Sequence, residues 1–182
     1  EFGGKADIVY SINKALSKLN IESSIISTKC GIIYSDINKK GNYDKYNINV
    51  DFINNSLISL LNKKQIVKIN NSDIIHFSSL FFKPTLFYIL LSLFWNKKII
   101  ISPRGELYSP ALKRKKIIKI IYIFFLRFFS KKIKFHATNE VEKELIVKYF
   151  PKNKGVTVIP NFIEMPQLLN FKKKKQFLFL GR

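Results

Sequence analysis

The sequence is short of cysteine and of long apolar runs, and each shortage excludes a class of protein. Cys30 is the only cysteine, so no disulfide can form within these 182 residues, and a reducing compartment is indicated. The longest apolar run, Pro84 to Trp95, is well short of the ~20 residues that a membrane-spanning helix needs. Lys119 and Arg127 interrupt the next longest run. The sequence therefore predicts no membrane-spanning segment.

Acidic residues are scarce relative to basic ones. The chain has 12 Asp and Glu against 32 Lys and Arg, which gives a formal net charge of +20. An excess of this size favours an anionic neighbour, such as nucleic acid, anionic lipid or a phosphorylated substrate. Lys, Ile, Asn, Phe and Tyr are all abundant and all have A/T-rich codons, so codon bias is an equal alternative. Only the placement of the charges can separate these explanations.

Short apolar runs alternate with helical patterns along most of the chain. The predicted strands cover 21–27, 48–52, 72–78, 98–102, 133–137 and 155–159, and the clearest continuous apolar run among them is Ile99 to Ile101. The predicted helices cover 5–19, 55–69, 84–95, 111–130 and 140–149, with Asn55 and Ser56 as the cap of the second. Continuous apolar strands between helices are typical of a parallel sheet covered on both faces. The predicted fold class is therefore α/β, with a doubly wound, mainly parallel sheet.

Ligands of such sheets bind at the carboxyl ends of the strands, so the loops there are the candidate site. Arg104 directly follows a predicted strand and precedes Gly105 and Glu106. Its guanidinium could hold a phosphate or an acceptor hydroxyl, or it could be a surface arginine paired with Glu106. Gly3 and Gly4 precede the first helix, where backbone N–H groups could approach an anion. The alternative for this glycine pair is a tight turn without a ligand.

Four further residues, His76, Ser78, Asn139 and Asn161, are candidates for the lining of the same cleft. Each also has a structural explanation. His76 lies within a predicted strand, which favours a buried, hydrogen-bonded histidine. Asn139 with Glu142 three residues later forms a capping-box pattern for the following helix. Asn161 is expected to close the domain.

Four segments, taken in order, resemble the retaining glycosyltransferases of family four, which have the two-domain GT-B architecture. They are Ile-Ser-Pro-Arg-Gly-Glu-Leu at 101–107, His-Ala-Thr-Asn-Glu-Val-Glu at 136–142, Val-Ile-Pro-Asn at 158–161 and Phe-Leu-Gly-Arg at 179–182. The resemblance implies that 1–160 form the Rossmann-like, acceptor-side domain. It implies a linker at 161–175 and the first strand of a second domain at 176–182.

The resemblance also implies an activity, the transfer of a sugar from a nucleotide-sugar donor to a glycan or lipid-linked glycan with retention of configuration. Gly3, Gly4 and Arg182 would lie against the donor phosphates. The acceptor or a phosphate would be contacted by Arg104, Gly105 and Glu106. It implies no metal and no tightly bound cofactor. Many relatives have His-Asp where this chain has Arg104 and Gly105, so the role of that histidine does not carry over, and the catalytic residues stay unassigned.

Two more departures from the family pattern affect expectations. Relatives often have a second histidine at the position of Ser78, and a glycine at the position of Phe162. The chain also begins at the Gly-Gly loop, without the central strand that usually precedes it, and ends inside a strand. We therefore expect this chain alone to be inactive and poorly stable, because unpaired strands leave backbone groups and apolar surface uncovered.

Basic residues are concentrated between 97 and 134, where 12 of them accompany a single acid, Glu106. Lys113, Arg114, Lys115 and Lys116 precede a strongly apolar helical segment, a combination that predicts contact with an anionic membrane surface. The alternative is a core helix with a solvated lysine face. The expected location is cytoplasmic, with peripheral attachment to the inner face of the membrane.

The competing functional class is a basic domain that binds nucleic acid or a membrane surface without catalysis. Nucleic acid is the less favoured partner. The sequence has no zinc-ligand spacing, no aromatic motif of an RNA-recognition sheet and no glycine-rich clamp loop.

Overall fold

A computed structural model of the chain describes residues 4–28, 49–53, 61–113 and 115–161. Gly3, Arg114, Arg182 and the predicted strand at 176–182 lie outside the described residues, as do Asn55, Ser56 and all of the predicted linker except Asn161. Helices and strands alternate through the described part. The helices are α1 (Gly4–Lys18), α2 (Lys63–Asn71), α3 (Lys83–Phe94), α4 (Ser109–Lys113), α5 (Lys116–Phe129) and α6 (Glu140–Tyr149). The strands are β1 (Ser24–Thr28), β2 (Asn49–Ile53), β3 (Ile74–Phe77), β4 (Lys98–Ile101), β5 (Ile133–Ala137) and β6 (Gly155–Val158).

All of the described strand pairs are parallel. β3, β4, β5 and β6 form a four-stranded sheet in that order, and β1 pairs with β2. Each strand of the larger sheet is joined to the next by helix, as parallel pairing requires. Within the described residues no ladder joins the two sheets. The predicted α/β class with a mainly parallel sheet is confirmed, and the predicted strands match the observed ones to within a few residues.

The core lies on the central strands of the larger sheet. Ile99 and Ile101 of β4 and Ile133 and Phe135 of β5 are almost fully buried. The Phe135 ring stacks on Phe150, which follows α6, with centroids 4.8 Å apart. Burial of β4 explains the continuous apolar run of its last three residues, whereas β5 alternates buried residues with the exposed Lys134 and the half-buried His136. The polar residues that follow these strands lie at the carboxyl edge of the sheet, where they can form a site.

The prediction of one continuous helix over 111–130 is wrong, because the helix is interrupted between α4 and α5. Lys115 adopts a left-handed conformation with φ of 57°, which an α-helix cannot contain. In a continuous helix Lys113 would neighbour Lys116 and Lys115 would neighbour Lys119, and like-charged pairs at these spacings destabilise a helix. The Nζ of Lys119 donates to the carbonyl oxygen of Ala111 at 2.5 Å, so the end of α4 gains a partner from the next helix.

A buried carboxylate joins β2 to α2. Asp51 is 8% exposed and forms ion pairs with Lys64, at 2.6 Å, and with Lys68. Burial by itself raises the pKa of Asp51, but the hydrogen bonds and charges of the two lysines outweigh it and lower the pKa. Asn62 caps the same helix, its Oδ1 accepting from the N–H of Lys64 at 2.9 Å. These contacts fix α2 on the smaller sheet.

We predict that Asp51→Asn lowers the free energy of unfolding by about 1–3 kcal/mol, because two lysines lose their anionic partner. Urea denaturation measures the effect, with the exposed Asp73→Asn as the control. The pKa of Asp51 is depressed in the fold, so its contribution is present above the unfolded pKa and is lost as pH falls through the folded value. The difference in stability between the two proteins should therefore begin to shrink below about pH 4 and decrease further as the pH falls. An equal loss at pH 3 and pH 7 would contradict the ion-pair explanation.

Candidate functional site at the carboxyl edge of the sheet

The loop after β4 reverses the chain through two consecutive left-handed residues. Arg104 has φ of 49° and Gly105 has φ of 82°. A glycine adopts such a conformation without strain, whereas an arginine does so only when the surrounding structure holds it there. The N–H of Glu106 closes the turn by donating to the carbonyl oxygen of Pro103 at 3.2 Å. The loop therefore places the Arg104 side chain at the carboxyl edge of the sheet.

The carboxylate of Glu142, on α6, holds this loop from one side. Glu142 is fully buried, and its Oε1 accepts from the backbone N–H of Gly105 at 2.6 Å. Its Oε2 accepts from the N–H and the hydroxyl of Thr138 at 2.7 and 2.8 Å. The loops that follow β4 and β5 are thus joined by one side chain.

The capping-box prediction for α6 is only half right. Asn139 does cap the helix, since its Oδ1 accepts from the N–H of Glu142 at 2.8 Å. The reciprocal bond, from the N–H of Asn139 to the Glu142 carboxylate, is replaced by the bonds to Thr138 and Gly105. A tertiary partner therefore competes successfully with the local motif, because Gly105 offers a buried N–H that needs an acceptor.

A second carboxylate, Glu106, holds the loop from the other side. It accepts from the hydroxyl of Ser79 at 2.7 Å and from the N–H groups of Leu80 and Phe81 at 2.5 and 3.2 Å. These three donors lie in the loop after β3. Glu106 was predicted to contact an acceptor or a phosphate, and the structure shows its carboxylate bonded to the protein's own backbone. Its observed contacts orient the loop that carries Arg104.

Arg104 connects three loops and keeps one donor without a partner. Its Nε donates to the hydroxyl of Ser78 at 2.9 Å, and its Nη1 donates to Oδ1 of Asn161 at 2.6 Å. Its Nη2 is buried and has no hydrogen-bond partner among the described residues. Burial lowers the pKa of Arg104, and the nearby charge of Glu142 opposes that shift. The alternative explanation of Arg104, a surface arginine paired with Glu106, is not observed among the described residues, where the guanidinium bonds the neutral oxygen atoms of Ser78 and Asn161.

An open cleft of about 500 Å³ lies beside the guanidinium. One side consists of Ile8 from α1 and Tyr108, and the hydroxyl of Tyr108 donates to Oδ1 of Asn139 at 3.1 Å. The remaining lining is polar: Arg104, Gly105, Thr138, Asn139 and Asn161. Four predicted site residues, 104, 105, 139 and 161, therefore meet in one cleft. Ser78 touches it only through Arg104, and Gly4 begins the helix that supplies Ile8.

Three polar side chains form a hydrogen-bonded row across β3, β4 and β5, next to this loop. Nε2 of His76 lies 2.7 Å from the Ser102 hydroxyl, which lies 2.8 Å from Nδ1 of His136. Nε2 of His136 lies 2.8 Å from the carbonyl oxygen of Ile159. A carbonyl only accepts, so Nε2 of His136 carries its proton and, in the neutral ring, Nδ1 accepts from Ser102. The Ser102 oxygen then accepts from Nε2–H of His76, which leaves Nδ1 of His76 as an acceptor.

His76 was expected to be a buried, hydrogen-bonded histidine, and the hydrogen bond is confirmed whereas the burial is not. The side chain is exposed, although its Nε2 is engaged with Ser102. Partial burial of the ring is the largest cause, followed by the electrostatic effects of Arg104 and His136, and together they lower the pKa of His76 to about 4. The ring is therefore neutral at pH 7. Sequence reasoning missed Ser102 and His136, although both are polar residues at the carboxyl ends of apolar strands.

The described residues contain no group of three or more His, Cys, Asp and Glu side chains placed to hold a metal ion. No helix in the described ranges is long and apolar enough to cross a bilayer. Comparison of the chain with protein-family models found no match, and comparisons with curated proteins and with solved structures found none either. The resemblance to family-four glycosyltransferases therefore rests on the sequence segments alone.

We predict that Glu142→Gln lowers the free energy of unfolding by about 1–3 kcal/mol, because an amide N–H₂ would face donors that need an acceptor. Hydrogen exchange at the Gly105 amide should also become faster than in the wild type. The exposed neighbour Glu144→Gln is the matched control. Unchanged protection of the Gly105 amide in the Glu142 variant would contradict the role given to this carboxylate.

The low pKa of His76 predicts a specific pH dependence. Between about pH 4 and 6.5 the unfolded chain binds a proton at this position and the folded chain does not, so stability falls as pH drops through that window. NMR titration of the His76 ring should give a midpoint near 4. Arg104→Gln should raise that midpoint, because the positive charge of the neighbouring guanidinium is removed. A midpoint at the ordinary value in the wild type would show that the ring is not held in this row.

Proposed function

We propose that this chain is the acceptor-side part of a glycosyltransferase that moves a sugar from a nucleotide-sugar donor to a glycan or lipid-linked glycan, with retention of configuration. The observation that carries the proposal is the guanidinium of Arg104. It is fixed beside an open cleft with Nη2 free of any partner among the described residues. The four family-like segments supply the class of reaction, and the cleft supplies a place for a substrate.

The position of the cleft supports this proposal. Parallel α/β sheets bind ligands at the carboxyl ends of their strands, and the cleft is lined from the loops that follow β4, β5 and β6. Three of the four family-like segments contribute to that lining, through residues 104–105, 138–139 and 161. Segments that are far apart in the sequence therefore meet at one place, as residues of one substrate site should.

The chemistry of the cleft suits a substrate rich in hydroxyl groups. The Thr138 hydroxyl and the Asn139 and Asn161 amides are neutral hydrogen-bonding groups, which recognise sugar hydroxyls without the cost of burying a charge. Ile8 and Tyr108 give the cleft an apolar side, against which the C–H face of a sugar ring can pack. Arg104 adds one positive charge, which suits a phosphate on either substrate.

Sugar transfer from a nucleotide donor needs the departing diphosphate stabilised and the acceptor hydroxyl held against the anomeric carbon. In the proposed enzyme, backbone N–H groups at the Gly3–Gly4 end of α1 and Arg182 serve the diphosphate. Arg104 and the neutral groups of the cleft orient the acceptor. The same side chains fit a nucleic-acid interface less well, since the described cleft residues include only one cation.

We predict that Arg104→Ala, in a protein that contains this chain together with its donor-binding domain, lowers turnover at least roughly tenfold. The acceptor class is first identified by mass spectrometry of lipid-linked glycans extracted from cells with and without the protein. Transfer is then measured with that acceptor and a panel of nucleotide-sugars. Arg104→Lys keeps the charge but not the two fixed bonds, so it should recover only part of the rate.

The matched control is Lys148→Ala, which removes an exposed cation in the last turn of α6, away from the cleft. Thermal unfolding of each variant separates lost activity from lost stability. A normally folded Arg104→Ala protein with the wild-type rate would remove Arg104 from the site. Failure of every nucleotide-sugar, with binding of arbitrary nucleic acid that weakens steeply with salt, would favour the competing class.

A further inference from the structure

α5 is apolar on two opposite faces, and only one of them is covered. Ile123 and Leu126 face the core and are 6% and 0% exposed. The opposite side of the helix carries a straight stripe at i, i+4, i+7 and i+11, the spacing of a single helix face. We call it the α5 stripe: Ile117, Ile121, Phe124 and Phe128, which are 75%, 63%, 61% and 69% exposed.

The stripe belongs to a larger apolar surface. Ile118, Ile120 and Phe125 flank it and are also exposed, and the rings of Phe124 and Phe128 pack edge to face with centroids 5.2 Å apart. The sequence alternative, a core helix whose solvent face is lysine, is therefore wrong: the solvent face is isoleucine and phenylalanine. Soluble monomers seldom expose a contiguous apolar surface of this kind unless something binds there.

Cations lie at both ends of the α5 stripe. Lys113, Lys115 and Lys116 are exposed before or at the start of the helix, and Arg127, Lys131 and Lys132 are exposed at its end. No acidic residue occurs between Glu106 and Glu140. The surface thus has an apolar centre with positive charge at each end, and the segment that forms it contains no acid of its own.

This arrangement selects among possible occupants. Two copies of the chain packed through the stripe would bring their basic ends together in either orientation, without an acid to offset the repulsion. A bilayer with anionic lipids offers the complementary pattern, acyl chains below the apolar centre and negative headgroups around it. We propose that α5 docks in the plane of an anionic membrane, with the stripe inserted and the flanking cations at the headgroups.

The dimensions agree with this orientation. A helix of 14 residues is about 21 Å long, shorter than the ~30 Å hydrocarbon layer, so α5 can lie in the interface but not cross it. In a parallel sheet the helix between two strands runs back against their direction. The Lys116 end of α5 therefore lies towards the carboxyl edge of the sheet, the edge at which the Arg104 cleft is found. Docking through α5 is independent of the proposed sugar transfer.

Cosedimentation of the chain with vesicles tests the proposal. One vesicle is phosphatidylcholine alone and the other is an equimolar mixture of phosphatidylcholine and phosphatidylglycerol. The wild type should bind the mixed vesicles at least roughly tenfold more tightly. Ile121→Ser with Phe124→Ser removes the centre of the stripe and leaves every charge in place, and we expect it to weaken that binding at least roughly tenfold.

Substitution of Lys113, Arg114, Lys115 and Lys116 by Gln should weaken the preference for anionic lipid, each lost charge contributing about fivefold, while Arg127, Lys131 and Lys132 remain. The control is Val141→Ser with Val147→Ser, which removes two exposed apolar side chains from α6 and should leave binding unchanged. All substituted positions with described side chains are exposed, and circular dichroism verifies that each variant is folded.

Three results would overturn the proposal. Equal binding of both vesicles by the wild type would remove the electrostatic part. If the variant with serine at 121 and 124 binds the mixed vesicles as tightly as the wild type, the interaction is adsorption of a cationic protein and the stripe does not insert. A wild-type dimer that dissociates when the same two residues become serine would assign the stripe to a second copy of the chain.

Discussion

The buried carboxylate of Glu142 is the contact on which the arrangement of the site depends. It accepts hydrogen bonds from the loops after β4 and β5 with no exposed surface of its own, and a buried charge is tolerated only when it is fully bonded. By holding the N–H of Gly105 it also fixes the left-handed turn that aims Arg104. Glu106 does the same for the loop after β3, since its carboxylate accepts from the backbone N–H of Leu80. Two carboxylates thus hold the loop from both sides, and the Arg104 guanidinium lies between them beside the cleft.

The fold class and the place of the site could be predicted from the sequence. Continuous apolar runs such as 98–102 identify buried parallel strands, and the polar residues directly after them must lie at one edge of the sheet. That reasoning places Arg104, Asn139 and Asn161 together before any coordinates are known. It succeeds because strand direction and burial are properties of local sequence.

The remaining features depend on partners that local patterns do not specify. Glu142 satisfies a capping-box spacing, yet its side chain bonds Gly105, 37 positions away in the sequence. The row through His76, Ser102 and His136 requires the lateral order of three strands, and single-residue signals do not give that order. The outward α5 stripe follows a helical period that is equally compatible with a fully buried helix, and only the packing of Ile123 and Leu126 shows which face is covered.

The net charge is +20, and the contacts of individual cations bear on whether codon bias explains it. Lys64 and Lys68 neutralise a buried aspartate, Lys119 bonds a helix end, and Arg104 joins three loops. Codon bias alone would spread the remaining lysines without regard to neighbouring side chains. The exposed ones around α5 instead border its apolar face, and the carboxyl edge with the cleft lies at its first turn. The two proposals are compatible in geometry, because a lipid-linked acceptor with its tail in the bilayer has its polar end at that edge.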